Sequence, residues 1–338
     1  MVINVLSLFD GISAGQLALQ RSGIEVDNYY ASEIDKYAIQ IANKNFPNTI
    51  QLGDITKWTE WNIDFSKIDI VIGGSPCQGF SFAGKQLNFE DPRSKLFFEF
   101  VNILNHIRVL NPNVKFLLEN VRMKQEYQDV ITKFLGVGPI QINSSLLSSQ
   151  NRVRLYWTNI PNVSQPEDKG IVLKDIILDD VEEKYYLTAE AVDYMSRLRN
   201  GKPRWEYHKN PLDGKSACLT ANMYKGIPYG VLRIPEATKK GHIELNQNEG
   251  VDLTFINSKT RRGRRMENKS NCLTATNYDY CWHDGYICRK LTPIECERLQ
   301  TFSDNYTEGI SNSQRYKALG NSWTVDVIVH IFNNLKQN

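Results

Sequence analysis

The chain has 338 residues, 41% hydrophobic and 23% charged, close to the globular average and unlike a disordered composition. No apolar run approaches the ~18–20 residues of a membrane helix, and the N-terminus lacks the pattern of a signal peptide, so a soluble cytoplasmic protein is expected. Net charge is +2, yet residues 197–290 carry 18 Lys and Arg against 9 Asp and Glu and the remainder is acidic by seven, which points to a polyanion-facing segment on a near-neutral body.

Taken in chain order, the first third alternates strand and helix patterns. A buried-strand run covers 2–9 and breaks at Asp10-Gly11-Ile12-Ser13-Ala14-Gly15. Helix is predicted over 16–21, strand over 28–32, helix over 35–45 and strand over 50–52. A run apolar on both faces, 68–72, stops at Gly73-Gly74-Ser75-Pro76-Cys77. A long amphipathic helix is expected over 94–110, and a fifth strand over 115–118 ends at Glu119-Asn120-Val121. Such alternation implies a parallel, doubly wound sheet, whose ligands bind beyond the carboxyl ends of the strands. Each polar cluster just named falls at such an end.

Residues 161–184 hold prolines and a run of acids, and mark a boundary. The basic segment that follows contains an internal echo, Lys215-Ser-Ala-Cys-Leu-Thr-Ala-Asn222 against Lys269-Ser-Asn-Cys-Leu-Thr-Ala-Thr276. Two such copies fit a pair of hairpin arms facing one ligand, or a chance similarity of short strands. Helix returns over 292–302, with Thr292 as cap and Pro293 and Glu295 in the first turn, and again over 322–335.

The six cysteines, Cys77, Cys218, Cys272, Cys281, Cys288 and Cys296, include no CxxC pair, and the later ones with His283 fit no zinc spacing. Neither a disulfide framework nor a metal is expected. Cys77 stands apart in a Gly/Pro loop. There a cysteine is a thiolate nucleophile or a small buried residue, and position alone does not choose.

Glycines after the first strand let backbone approach a ligand, although the turn lacks the GxGxxG of dinucleotide sites. Glu33 after strand two is placed to accept from ribose hydroxyls, and Asp54 after strand three to meet an adenine amino group. An adenosine-containing cofactor follows. Glu119 is delivered to the same edge, as a proton-handling carboxyl or a helix cap. Arg152 and Arg154 alternate on one face of a strand, to hold an anion or base or to form a solvated edge.

In this order the set resembles the DNA (cytosine-5) methyltransferase family, through nearly the whole chain. Its first motif is matched by Leu8 to Gly15, and its catalytic loop by Gly74-Ser75-Pro76-Cys77-Gln78-Gly79-Phe80-Ser81. Its ENV motif is Glu119-Asn120-Val121, and its QxRxR motif is Gln150, Arg152 and Arg154. Its ninth motif is matched from Arg289 through Gln300, and its tenth by Ala318-Leu319-Gly320-Asn321-Ser322. The bacterial and phage members are the nearest in type, with some likeness to the vertebrate de novo enzymes. Ser7, where many bacterial members have Asp, and Trp323, where a small aliphatic residue is common, depart from the pattern at positions expected to be peripheral.

The resemblance implies an α/β fold. Its Rossmann-like, S-adenosylmethionine-dependent domain with a mostly parallel sheet spans 1–184. A smaller, irregular β-rich target-recognition domain follows over 185–288, and 289–338 return to the catalytic domain. It implies methyl transfer from S-adenosyl-L-methionine, leaving S-adenosyl-L-homocysteine, to C5 of a flipped-out cytosine in duplex DNA. Cys77 would be the nucleophile, Glu119 the group at N3, and Arg152 and Arg154 would hold base and loop. Phe9, Asp10, Gly11, Ile12, Ser13, Glu33, Ile34, Asp54, Ile55, Pro76, Leu96, Asn321 and Ser322 would bind the cofactor. Gln78, Ser81, Gln150, Arg261, Arg262, Arg264, Arg265 and Thr274 would meet DNA. The expected protein is a nucleoid-associated monomer without membrane or metal, with a separately encoded restriction endonuclease as a partner this type permits. A tRNA cytosine methyltransferase of the same family and a catalytically inactive DNA-binding regulator are the alternatives.

Overall fold

The computed structural model describes residues 2–75, 92–185, 214–216, 218–221 and 291–336, together with nine two- or three-residue strand segments between 198 and 290. Seven strands form one sheet: β1 (Val2–Leu8), β2 (Glu25–Ser32), β3 (Ile50–Gln51), β4 (Ile70–Gly73), β5 (Lys115–Val121), β6 (Pro139–Asn143) and β7 (Val153–Thr158). Their order is β3-β2-β1-β4-β5-β7-β6. The first five pair in parallel, while β7 runs antiparallel to both β5 and β6.

Both faces of the sheet are covered, so β4 and the middle of β5, Phe116 to Leu118, are continuously apolar. Ile70, Ile72 and Leu117 face one core, and Val71, Phe116 and Leu118 face the other, as a period of two requires. Fully burying each such side chain stabilises the fold by roughly 1.5–3 kcal/mol. On the first face lie α1 (Ala14–Arg21), α2 (Lys36–Asn45) and residues from the C-terminus. On the second lie α3 (Pro92–Leu110) and α4 (Gln125–Leu135). Asp35 caps α2 by accepting from Tyr37 and Ala38 amides. Gly136, in left-handed conformation, ends α4.

The C-terminal segment holds α5 (Pro293–Leu299), α6 (Asn312–Asn321) and α7 (Val325–Phe332), of which α7 packs along α1. Thr292 and Glu295 form a reciprocal capping box at α5, as their spacing predicts. The single helix expected over 322–335 is not formed. Ser322 ends α6 and Thr324 precedes α7, because the intervening backbone is held by side chains from elsewhere. Strand β5 runs three residues beyond its expected end, since β7 pairs Glu119 with Tyr156 and Val121 with Arg154. Arg154 accordingly belongs to the sheet interior, and Arg152, just before β7, is buried and not on a solvated edge.

The boundary read over 161–184 is packed onto the body, with Leu173 and Ile176 buried in the first core. Residues 214–216 and 218–221, expected within the recognition domain, are likewise bonded to the catalytic body: Ser216 N–H donates to Ser149, its carbonyl accepts from Asn151, and the Leu219 N–H donates to Gln150. No helix among the described residues is long and apolar enough to cross a membrane.

Candidate functional site

The carboxyl ends of β1, β2, β4 and β5 surround a cavity of about 380 Å³, within the range of small-molecule sites. The turn after β1 is the first wall. Phe9, Gly11 and Ser13 all take positive φ, near 60°. Such conformations are costly for Phe and Ser and persist only where surroundings impose them. Here the agent is Asp10. Its carboxylate accepts from Ser7 Oγ at 2.6 Å, Ser13 Oγ at 2.5 Å and the Tyr29 hydroxyl at 2.7 Å. Burial raises the Asp10 pKa above the ordinary carboxylate value, and the Ser13, Ser7 and Tyr29 donors pull the other way.

Asp10 and Ser13 therefore do not line the cavity; they brace the turn from behind. Ser7 is not peripheral either, because it donates to that brace. The cavity wall receives Phe9, Gly11 and Ile12. Glu33, at the end of β2, accepts the Gly11 amide on Oε2 at 2.8 Å, and the Ile34 and Asp35 amides on Oε1 at 2.7 and 2.8 Å. The carboxylate is thus fixed at the rim. Ile34 is 76% exposed, an apolar side chain held open beside it. Asp54 accepts from Thr56 through Oδ1. It lines the cavity with Ile55, Leu96, Asn321 and Ser322.

The floor is ionic. Arg154 Nε donates to Glu119 Oε1 at 2.9 Å, with both side chains nearly buried. Burial pulls the Arg154 pKa down, and Glu119 and Cys218 outweigh it, leaving the guanidinium above its ordinary value. Asn120 donates to Ser75 Oγ at 3.2 Å, anchoring the start of the Ser-Pro-Cys loop. Trp323 Nε1 donates to Glu119 Oε2 at 3.2 Å. Its expected peripheral standing is corrected by that bond.

Arg152 behaves differently from Arg154. Its Nη1 donates to the Leu219 carbonyl at 2.9 Å and lies 3.4 Å from Cys218 Sγ. Its Nη2 donates to the Gly320 and Ser322 carbonyls at 3.2 and 2.8 Å. Four of five guanidinium N–H groups thus join the first repeat copy to the tenth-motif segment. Burial, and Arg154 beside it, lower its pKa. The expectation that Arg152 grips a base is replaced by a clamp, with only its Nε–H left over. Gln150 is corrected in the same way: it has no exposed surface, and its carboxamide is held by Leu219, Leu299 and Gln300. It cannot reach DNA.

Among the described residues, the buried Arg152 Nε and Ser322 Oγ have no hydrogen-bond partner, and both residues line the cavity. Buried polar groups without partners are uncommon and call for a ligand or water. Pro76, Cys77, Gln78, Ser81, Arg261, Arg262 and Thr274 lie outside the described residues. Arg264 and Arg265 fall on the short strand Arg264–Met266, paired antiparallel with Gly250–Asp252. Sequence reasoning missed Cys218 and Lys317. Lys317 lines the cavity and reaches Asp35 at 2.6 Å. The internal repeat was the available signal for Cys218.

A parallel sheet closed by one reversed strand, with a ligand-sized cavity at its carboxyl edge, defines a methyltransferase-type α/β fold. Solved structures share it. An Entamoeba histolytica methyltransferase, EhMeth, matches with TM-score 0.65 at 18% identity, covering 99% of both chains. A Spodoptera frugiperda DNMT2 variant matches with TM-score 0.60 at 20% identity, covering 98% of this chain and 99% of that one. The family model for C-5 cytosine-specific DNA methylases matches residues 3–337, and the chain belongs to that family of DNA cytosine-5 methyltransferases. Among relatives, the orphan methyltransferase M.SPRI of Bacillus phage SPR is 29% identical, over 98% of this chain and 97% of that protein. The type II methyltransferase M.BanI of Aneurinibacillus aneurinilyticus is also 29% identical, over 100% and 96%.

Proposed function

We propose that the chain methylates C5 of a cytosine flipped out of duplex DNA at one short sequence, through a covalent bond between Cys77 and C6. The observation that supports it best is the Glu119 carboxylate, held by Arg154 at 2.9 Å in the floor of the cavity. A fixed carboxyl beside a cofactor-sized space, one strand from a Ser-Pro-Cys loop, suits a reaction that must activate a pyrimidine.

The cavity fits S-adenosyl-L-methionine on chemistry. Glu33 offers an anchored carboxylate to ribose hydroxyls, Ile34 and Ile55 an apolar flank for adenine, and Asp54 an acceptor for its amino group. Two buried polar atoms, Ser322 Oγ and Arg152 Nε, await partners. When bound, this group supplies an electrophilic methyl on a sulfonium. Phe9, Gly11, Ile12, Pro76, Leu96 and Asn321 complete its holding set.

Cytosine C5 is a poor nucleophile. Addition of the Cys77 thiolate at C6 makes the ring enamine-like. Glu119 hydrogen-bonds or protonates N3, so that the ring accepts those electrons. Once C5 carried the methyl group, its proton would pass to water, the C5–H electrons would restore the C5–C6 double bond, and the C6–S pair would return to Cys77 as thiolate, leaving 5-methylcytosine. The target atom lies within the base stack, so the base must leave it. Gln78, Ser81, Thr274 and the basic run Arg261, Arg262, Arg264 and Arg265 meet the DNA. The protein acts as a cytoplasmic monomer on the nucleoid, beside a separately encoded restriction endonuclease where one exists.

Bisulfite sequencing of DNA from a methylation-deficient bacterium expressing the chain tests this, with Cys77→Ala as control. Methylated cytosines in one short context, absent from the control, are expected. Absence from both strains, with labelled methyl groups entering tRNA, would replace the substrate.

A further inference from the structure

Trp323 departs from the family pattern that the sequence resembles, and its indole reaches the Glu119 carboxylate. Glu119 receives one donor on each oxygen: Arg154 Nε on Oε1 at 2.9 Å and Trp323 Nε1 on Oε2 at 3.2 Å. A carboxylate held at one oxygen can still turn about its last torsion. Held at both, it cannot turn without breaking a bond in a nearly buried site.

The surroundings are built to admit the indole. A Cβ at Gly74 would lie 3.0 Å from Trp323 Nε1 and 3.2 Å from Glu119 Oε2, crowding donor and acceptor from the side. A Cβ at Gly15 would lie 2.4 Å from Ile72 Cδ1 and 3.3 Å from both Trp323 Cζ3 and the Tyr29 hydroxyl, so the indole is one of three groups packed over that glycine. The backbone on either side is pinned. The Ser322 carbonyl accepts from Arg152 and Gln300, and Thr324 Oγ1 donates to Gln300 Oε1 at 2.8 Å. The indole is therefore presented to Glu119 in a preset position.

We propose that Trp323 is a positioning residue: its indole N–H locks the rotation of the Glu119 carboxyl so that it meets the pyrimidine N3. The proposal rests on Glu119 acting at N3, as argued above.

The test is a double-mutant cycle on the full chain, with single-turnover methyl transfer measured for wild type, Trp323→Phe, Glu119→Gln and the double variant. Phe keeps the aromatic wall and removes the donor. Trp323→Phe should lower the methyl-transfer rate about tenfold, the scale of one lost hydrogen bond to a charged group. Cofactor affinity should stay within about twofold, because the indole N–H meets Glu119 and not the cofactor. In the Glu119→Gln background the same change should cost less than about twofold, since the bond it removes no longer orients a carboxyl.

Trp323→Phe retaining more than half the wild-type rate would overturn the proposal, and so would an equal loss in both backgrounds. Should Trp323→Phe fail to fold, Gly74→Ala crowds a methyl group against both indole nitrogen and carboxyl, forces them to shift, and should give a loss of the same order; an unchanged rate there would also overturn it. A wild type that methylates no cytosine would instead sink the reading of function. A wild type that is active and loses activity in Glu119→Gln, yet ignores Trp323→Phe, sinks this inference alone.

Discussion

Gln150 Oε1 accepts the Leu219 amide at 2.8 Å, while its Nε2 donates to the Leu299 carbonyl at 3.2 Å and to Gln300 Oε1 at 3.1 Å. One buried carboxamide thereby joins the approach to β7, the first repeat copy and the end of α5. The outer strands of the sheet, the basic segment's first arm and the C-terminus meet at this knot.

Removing it should act on stability and not on DNA. Gln150→Ala leaves the buried Leu219 N–H without its acceptor, at a cost of about 1–3 kcal/mol, while the Leu299 carbonyl keeps Ser148 Oγ. Thermal denaturation should show a midpoint several degrees lower, while the folded protein binds DNA within about twofold of wild type, as expected of a side chain with no exposed surface. A large loss of DNA affinity at unchanged midpoint would return Gln150 to the interface.

Arg152 carries the same junction through four N–H groups in a planar fork. Lysine keeps the charge and not the fork. Arg152→Lys should therefore destabilise by more than about 2 kcal/mol in urea unfolding, because buried carbonyls of Leu219, Gly320 and Ser322 lose donors. Cofactor affinity should fall with it, since Ser322 lines the cavity. Wild-type stability with a defect confined to turnover would mean that Arg152 works on the base after all.

What the sequence made legible was local. The turn after β1, the acid closing β2 and the Thr292–Glu295 box are each written within a few residues, and each stands where the pattern placed it. One failure is local, the bracing of Asp10 by Ser7 and Ser13 three residues to either side; the others concern partners far along the chain. Gln150 reads as available until Leu299 arrives, 149 positions away. Trp323 reads as peripheral until Glu119 is found 204 positions earlier. The final helix reads as continuous over 322–335, which no proline interrupts, and the break at Ser322–Thr324 comes from bonds made with Arg152 and Gln300. Tertiary contacts override propensity there.

Glu33 gives a prediction confined to the cofactor. Its two oxygens accept three backbone amides, and only a carboxylate presents acceptors on both sides. Glu33→Gln turns an amide donor toward a backbone donor and loosens the Gly11 turn. Calorimetric titration should show S-adenosyl-L-homocysteine bound at least about tenfold more weakly, a change of 1.4 kcal/mol. DNA affinity without cofactor should stay near wild type. Equal weakening of both ligands would indicate that the turn supports the whole domain.

Gly320→Ala tests how the first repeat copy sits on α6. A Cβ at Gly320 would lie 2.3 Å from the Thr220 carbonyl carbon, 2.4 Å from the Ala221 nitrogen and 2.5 Å from the Thr220 oxygen. All three are backbone atoms, so no side-chain rotation relieves the overlap, and overpacking of this kind costs about 1–3 kcal/mol or more. The segment at Thr220 and Ala221 must move off α6, and Arg152 then loses either Leu219 or Gly320. The expected variant has a lowered unfolding midpoint and a protease-sensitive bond newly exposed near 218–221, measured by limited proteolysis followed by mass spectrometry. Full resistance at that segment, with wild-type turnover, would show that the repeat copy docks elsewhere when the enzyme works.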